Sequence, residues 1–345
     1  MKWKLQNKNL CIKEKQLSYV KSNQEWNKES LKTKKFLWEK SKKILQNLTY
    51  NRTLKTHYPP PDNLKVFGTF VGGCSSTMGY KLAGFHHLWG VEIDPKMAKA
   101  YQKNHQPKHF FLEDIRDFNL RENLPEELFD LDILDGSPPC STFSMSGHRE
   151  QTRGKEKIFK EGQKKQILDE LVFVFCDTVE KLLPKVVIME NVPGLIAGKA
   201  KKYAIEVYDR LNNLGYKVQL FRLNAATMGV PQARERIFFI ARKKQFNWND
   251  LELDFNESPI YFGDVVEKNA TTHKPLRDSI VKRRPFVEYG DQNLKFADAK
   301  YRNLTTFNAF FSTYVIYDHI VAPTLTSSGA NVYYNEVRNL SDTEY

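Results

Sequence analysis

The stretch "DGSPPCSTFS" (135–144) sets Cys140 directly behind Pro138 and Pro139, with Gly and Ser around it in place of core residues. Two prolines restrict the backbone and so fix where the sulfur points. Peptide amides or a nearby helix terminus can lower the pKa of such a thiol, and the chemistry on offer is attack by a thiolate. Further on, "VVIMENVPGL" ends a run of four apolar residues with Glu190 and Asn191. A carboxyl group leaving a hydrophobic strand has reason to titrate high and to serve as an acid. "GVPQARERIFFIA" adds Gln232, Arg234 and Arg236, the two arginines spaced to share one face of an extended segment. Paired guanidiniums suit a polar ring or its phosphate, and equally an ion pair within the fold. The bland reading of a free cysteine, a buried structural thiol, fits Cys176 on the apolar face of "QILDELVFVFCDTVEKLLP" better than it fits Cys140.

A second group of residues has the character of a nucleoside site. "FVGGCSSTMGYKLAGF" is rich in Gly and Ser and leads into a helix, where backbone amides can meet a nucleotide-type ligand. Twenty residues after Gly72, "VEIDP" places Glu92 and Asp94 at a strand end, where a carboxylate can accept both hydroxyls of an adenosine ribose. Asp114 in "EDIRDF" can accept from an exocyclic amine such as that of adenine. Helix capping is the competing role for these acids, and for Asp114 alone the favoured one. The glycines at 72, 73 and 79 do not form GxGxxG, because Cys74, Ser75, Ser76 and Thr77 fill the loop. A pyrophosphate needs that close approach, which argues against a dehydrogenase. S-adenosyl-L-methionine carries ribose and adenine without phosphates, and it fits acids at successive strand ends.

The elements that must position these residues alternate along the chain. "LKVFGTFV", "HLWGVEID", "HFFLEDI", "LFDLDILDGS", "KVVIMENV", "YKVQLFRL" and "RIFFIARK" read as strands, with helices over "STMGYKLAGF", "KMAKAYQKNH", the segment ending at Pro184 and "KYAIEVYDRLNNLG". This order predicts an α/β chain with a doubly wound, mostly parallel, Rossmann-like sheet and its chemistry at the carboxyl ends of the strands. "HYPPPD" (57–62) marks a stiff linker. The expected domains are a basic helical extension over 1–60, a main domain over 61–244, a small irregular lobe over 245–322 and a return to the main domain over 323–345.

The chain of 345 residues carries a net charge of +12, and residues 1–60 hold 15 Lys and Arg against 4 Asp and Glu, while 61–345 hold 38 against 37. A segment such as "KTKKFLWEKSKKILQNL" suits docking on polyanionic phosphate, and equally a solvated helix packed on the main domain. Cys11, Cys74, Cys140 and Cys176 lie far apart with no CxxC spacing, so the sequence predicts reduced thiols and no metal site. No apolar run has the length of a signal peptide or membrane span, which points to a cytoplasmic protein without a membrane partner.

Taken together and in order, these motifs resemble those of the DNA cytosine C5-methyltransferases. "FVGGCSSTMGY", "VEIDP" and "EDIRDF" are similar to the family's first three motifs. "PPCSTFS" resembles its Pro-Cys motif, "MENVPGL" its Glu-Asn-Val motif, "QARER" its Gln-x-Arg-x-Arg motif, and "APTLTSSGAN" and "RNLSDTE" its late segments. The resemblance implies the S-adenosylmethionine-dependent methyltransferase fold, double-stranded DNA as partner, and a restriction-modification or phage setting. It implies that Cys140 adds to carbon 6 of a flipped-out cytosine, that Glu190 bonds ring N3, and that Arg236 and more loosely Arg234 orient the base. Phe70, Gly72, Ser75, Glu92, Ile93, Asp114, Ile115 and Pro139 then line the cofactor pocket, Leu171 lies under the adenine, and the 245–322 lobe is the target recognition region.

Three features depart from the family pattern. Phe-Val-Gly-Gly-Cys-Ser stands for Phe-x-Gly-x-Gly-Gly, Ser141 stands where glutamine often follows the cysteine, and the sequence reaches Tyr345 without the family's closing Gly-Asn segment. The last departure raises the expectation of a second polypeptide that supplies this motif. Methyl transfer to tRNA and a catalytically weak DNA-binding remnant are the alternative readings; the Cys-Phe-Thr signature of the tRNA branch is absent.

Overall fold

The structure, a computed structural model, describes residues 64–72, 75–139, 170–253, 255, 257–266, 314–324, 332–334 and 338–339. The expected basic extension, Cys140 and most of the expected recognition lobe lie outside these residues. Along the chain the strands are β1 (Lys65–Thr69), β2 (His86–Glu92), β3 (His109–Leu112), β4 (Ile133–Gly136), β5 (Val186–Asn191), β6 (Tyr216–Asn224), β7 (Gln232–Ala233), β8 (Glu235–Lys243), β9 (Tyr314–Ile316), β10 (Ala322–Pro323), β11 (Val332–Tyr334) and β12 (Arg338–Asn339). The helices are α1 (Ser75–Leu82), α2 (Pro95–His105), α3 (Ile115–Leu120), α4 (Leu171–Leu182), α5 (Lys201–Asn213) and the single turn α6 (Phe262–Val265).

Seven strands form one sheet in the order β3-β2-β1-β4-β5-β8-β6. β3, β2, β1, β4 and β5 run parallel, and β8 is antiparallel to β5. This is the doubly wound, mostly parallel α/β sheet that the alternation of elements predicts. Helices on a parallel sheet bury both of its faces, which is why β1 and β5 carry apolar runs such as Val66-Phe67 and Val186-Val187-Ile188-Met189. Phe67, Trp89, Leu134, Phe175, Val187 and Phe239 are all buried in one core. The strand order reverses between β1 and β4, and such a switch point opens a crevice at the carboxyl ends of the strands.

The chain divides into two compact units, whose described residues fall within 64–223 and 236–252 for the first, and within 224–235 and 253 onward for the second. The first contains the large sheet. In the second, β7 pairs in parallel with β10, and β11 joins β9 and β12. Phe262, Ile316 and Ala322 form a small core there. Among the described residues no helix is long and apolar enough to cross a membrane.

Local chemistry explains two differences from the expected elements. The run "LFDLDILDGS" is not one strand: a 3-10 turn occupies Glu126–Phe129 behind Pro125, and β4 starts only at Ile133. "HFFLEDI" leaves the sheet at Leu112, because Asp114 caps a new helix, α3.

Candidate active site

The carboxyl ends of β4 and β5 bring the expected reactive segments together. Asn191, 1% exposed, donates from Nδ2 to the Pro138 carbonyl at 3.2 Å and accepts the Val192 N–H at 2.9 Å. On the other side, the Ser137 hydroxyl meets the Phe70 carbonyl at 3.5 Å. The Pro-Pro segment is therefore tied both to the Glu-Asn-Val strand and to the loop after β1. Cys140, which follows it, lies outside the described residues.

Beside these ties, Arg236 Nε approaches Glu190 Oε1 to 2.7 Å, with the side chains 18% and 29% exposed. The antiparallel pairing of β8 with β5, Glu190 opposite Phe238 and Asn191 opposite Ile237, brings this arginine to the strand end. Arg234 belongs to the second unit. Its N–H donates to the Gln232 carbonyl at 3.1 Å and its own carbonyl accepts from Ala225 at 3.0 Å. β10 pairs with β7 next to it, and Thr324 Oγ1 donates to the Ala233 carbonyl at 2.9 Å.

The loop after β1 turns sharply, with Phe70 at φ 54° and Gly72 at φ 50°. A left-handed phenylalanine is strained and persists only where its surroundings impose it. One such constraint is Glu92, whose Oε2 accepts the Gly72 N–H at 2.8 Å while Oε1 accepts Ile93 N–H at 3.0 Å and Asp94 N–H at 2.9 Å. A carboxylate has about four acceptor sites. Oε2, with one of these amides, keeps capacity for a hydroxyl of a bound ribose, so the residues fit an adenosine-bearing cofactor.

Asp94 caps α2, accepting from Lys96 N–H at 2.8 Å with Pro95 in the first turn. Asp114 caps α3, accepting from Arg116 N–H at 2.9 Å and pairing with the same residue's guanidinium at 3.1 Å. Both acids thus have the capping role that competes with ligand binding. Ser75 opens α1, Ile93 and Pro139 are half-buried, and Ile115 and Leu171 are buried.

Residues 64–341 match the family model of the C-5 cytosine-specific DNA methylases. The chain belongs to that family. It is 35% identical over 184 residues to the type II methyltransferase M1.HphI of Haemophilus parahaemolyticus, covering 52% of this chain and 46% of the relative. With the type II methyltransferase M.NgoPII of Neisseria gonorrhoeae it shares 30% over 235 residues, 67% of this chain and 61% of the relative. The chain spans about half the length of the curated relatives it matches. A crystal structure of a DNA modification methyltransferase encoded within an E. coli prophage superposes with a TM-score of 0.56 at 18% identity, over 82% of this chain and 87% of that one, and shares the fold.

One residue of this methylase domain escapes a sequence reading. Asp135 sits in β4 between Leu134 and Gly136, buried, with Oδ1 accepting from the Tyr80 hydroxyl at 3.1 Å. Burial pushes its carboxyl up to about 6, against the hydrogen bonds from Ser76 and Tyr80, and the charge of Glu190 pushes the same way as burial. Burial and Asp135 together hold the Tyr80 phenol well above its usual range. The only trace in the sequence is an acid in an apolar strand. Cys176 has the structural role expected of it: it is buried, its Sγ reaches the Val172 carbonyl at 3.4 Å, and burial pushes the thiol up to about 12.

Proposed function

We propose that the protein is an S-adenosylmethionine-dependent DNA cytosine C5-methyltransferase that modifies double-stranded DNA in a restriction-modification or phage setting, within the cytoplasm. The observation that carries this reading is the bond from Asn191 to the Pro138 carbonyl, which joins the strand of Glu190 to the segment that leads to Cys140. The type II methyltransferases among its relatives support the setting.

Carbon 5 of cytosine is too weak a nucleophile to take a methyl group directly. The Cys140 thiolate adds to carbon 6 and Glu190, hydrogen-bonded at ring N3, stabilises the adduct, which leaves carbon 5 enamine-like. Arg236, at 2.7 Å, holds the Glu190 carboxyl in place before the base arrives. Arg234 contacts the base more loosely. S-adenosylmethionine, when bound, supplies the electrophilic methyl group that carbon 5 takes. Loss of the carbon 5 proton and release of the Cys140 thiolate then restore the aromatic ring. Phe70, Gly72, Ser75, Glu92, Ile93, Asp114, Ile115, Pro139 and Leu171 form the cofactor site. The target base leaves the duplex at a cost of roughly a few kcal/mol, because the thiol cannot reach a stacked ring.

The test is trapping on duplexes that carry 5-fluorocytosine. A covalent adduct should form only with cofactor present and should map to Cys140, and Cys140→Ser should lose methylation while it keeps DNA binding. Methylation that persists in Cys140→Ser removes the mechanism. Transfer to tRNA but not to duplex DNA moves the substrate class, and DNA binding without transfer to either reduces the chain to a binding remnant.

A further inference from the structure

Asp135 is bonded in three directions. Its backbone carbonyl accepts from the Thr69 hydroxyl at 3.0 Å, which locks β4 to β1. Its carboxyl group takes the Tyr80 hydroxyl at 3.1 Å and the Ser76 hydroxyl, and both donors stand on α1, the helix that the cofactor loop enters. Two residues later Ser137 reaches the Phe70 carbonyl of that loop, and Pro138 follows with its tie to Asn191.

Among the described residues, the groups that act on the buried carboxyl are these two hydroxyls and the like charge of Glu190. A buried acid held by hydroxyls alone is a poor choice for stability, since an apolar residue fills the same space without losing hydration. An acid at this point of the strand has its explanation in the site.

We infer that Asp135 is a positioning residue whose carboxylate, through the hydroxyls of Ser76 and Tyr80, clamps the start of α1 to β4 and thereby sets the cofactor loop against the Pro-Cys segment. The inference rests on the proposed methyl transfer, and it assigns to one residue the coupling between cofactor binding and nucleophile placement. Protonation weakens the clamp, because hydrogen bonds to a carboxylate are roughly twice as strong as those to a neutral acid. Among the described residues, the titratable groups that face Asp135 are Tyr80 from α1 and Glu190 from β5, the latter paired with Arg236. Lys81 of α1 is engaged elsewhere, at the His105 carbonyl 2.7 Å away, and β1 presents Gly68 and Thr69 beside Asp135.

The full chain is compared with Asp135→Asn and Tyr80→Phe between pH 5 and 8 by equilibrium dialysis of S-adenosylmethionine and by hydrogen exchange of the free protein, corrected for intrinsic rates. Wild-type binding should weaken roughly tenfold as pH falls through about 6, the size of one hydrogen bond to a charged group, with faster exchange at the start of α1. Asp135→Asn should bind roughly tenfold more weakly at pH 8 with no pH dependence in this window, and Tyr80→Phe should move in the same direction. Wild-type affinity, pH profile and α1 exchange in both variants overturn the clamp. A wild-type protein that binds no cofactor at any pH overturns the methyltransferase reading instead, and the exchange data on free protein still decide whether Asp135 holds α1. Thermal unfolding of each variant shows that it is folded.

Discussion

A carboxylate loses hydration when a strand carries it under a helix, and among the described residues Asp135 has two hydroxyls and no cation to offset the loss. Its folded pKa of about 6 against an unfolded value near 3.8 means that the native state binds the proton more tightly. Stability therefore falls as pH rises from about 4 to about 6, and the full cost is present above that window. A shift of about 2 units corresponds to roughly 3 kcal/mol. Asp135→Asn should accordingly be more stable than wild type at pH 8, by about 1–3 kcal/mol, with the difference closing toward pH 4. Urea unfolding at the two pH values measures this. A variant that is less stable at pH 8 would show that its hydrogen bonds outweigh desolvation, and that Asp135 belongs to the packing of the fold.

Elements meet most tightly around Gly136. A Cβ there would lie 2.4 Å from Thr69 Oγ1 and 2.5 Å from Phe175 Cε2, so β4 can approach β1 and α4 only because this residue has no side chain. Gly136→Ala should cost about 1–3 kcal/mol by overpacking and should displace the Ser137 and Pro138 contacts next to it. Thermal unfolding measures the first effect and cofactor affinity the second; a variant unchanged in both would mean that β4 has slack. The same elements show what a sequence can tell. Strands β1, β2, β5, β6 and β8 and helices α2 and α5 stand close to their apolar patterns, since helix and strand periods are local signals. Glu190 and Arg236 were legible as residue types, but their 2.7 Å contact depends on β8 inserting antiparallel beside β5, a long-range pairing that no local pattern encodes. Asp94 and Asp114 were ambiguous because a cap and a ligand acid demand the same residue at the same strand end. Asp135 was missed because its partners Ser76 and Tyr80 lie on a helix more than fifty residues earlier.

Across the whole chain, positive charge is concentrated in the first 60 residues of the sequence. Residues 1–56 contain all 15 basic and all 4 acidic residues of the first 60, so their removal takes 11 of the 12 net positive charges. The rest, nearly neutral, offers little long-range attraction to a duplex beyond its local arginines. Each phosphate contact contributes about 0.9 to the slope of log affinity against log salt. If the extension lies along DNA, deletion of residues 1–56 should lower that slope by the equivalent of about three contacts or more, while the preference among sequences stays as it was. Duplex binding by full-length and shortened chains across a salt series gives both quantities. A slope that does not change assigns the basic charge to a solvated helix, and leaves recognition of the duplex to residues 57–345 alone.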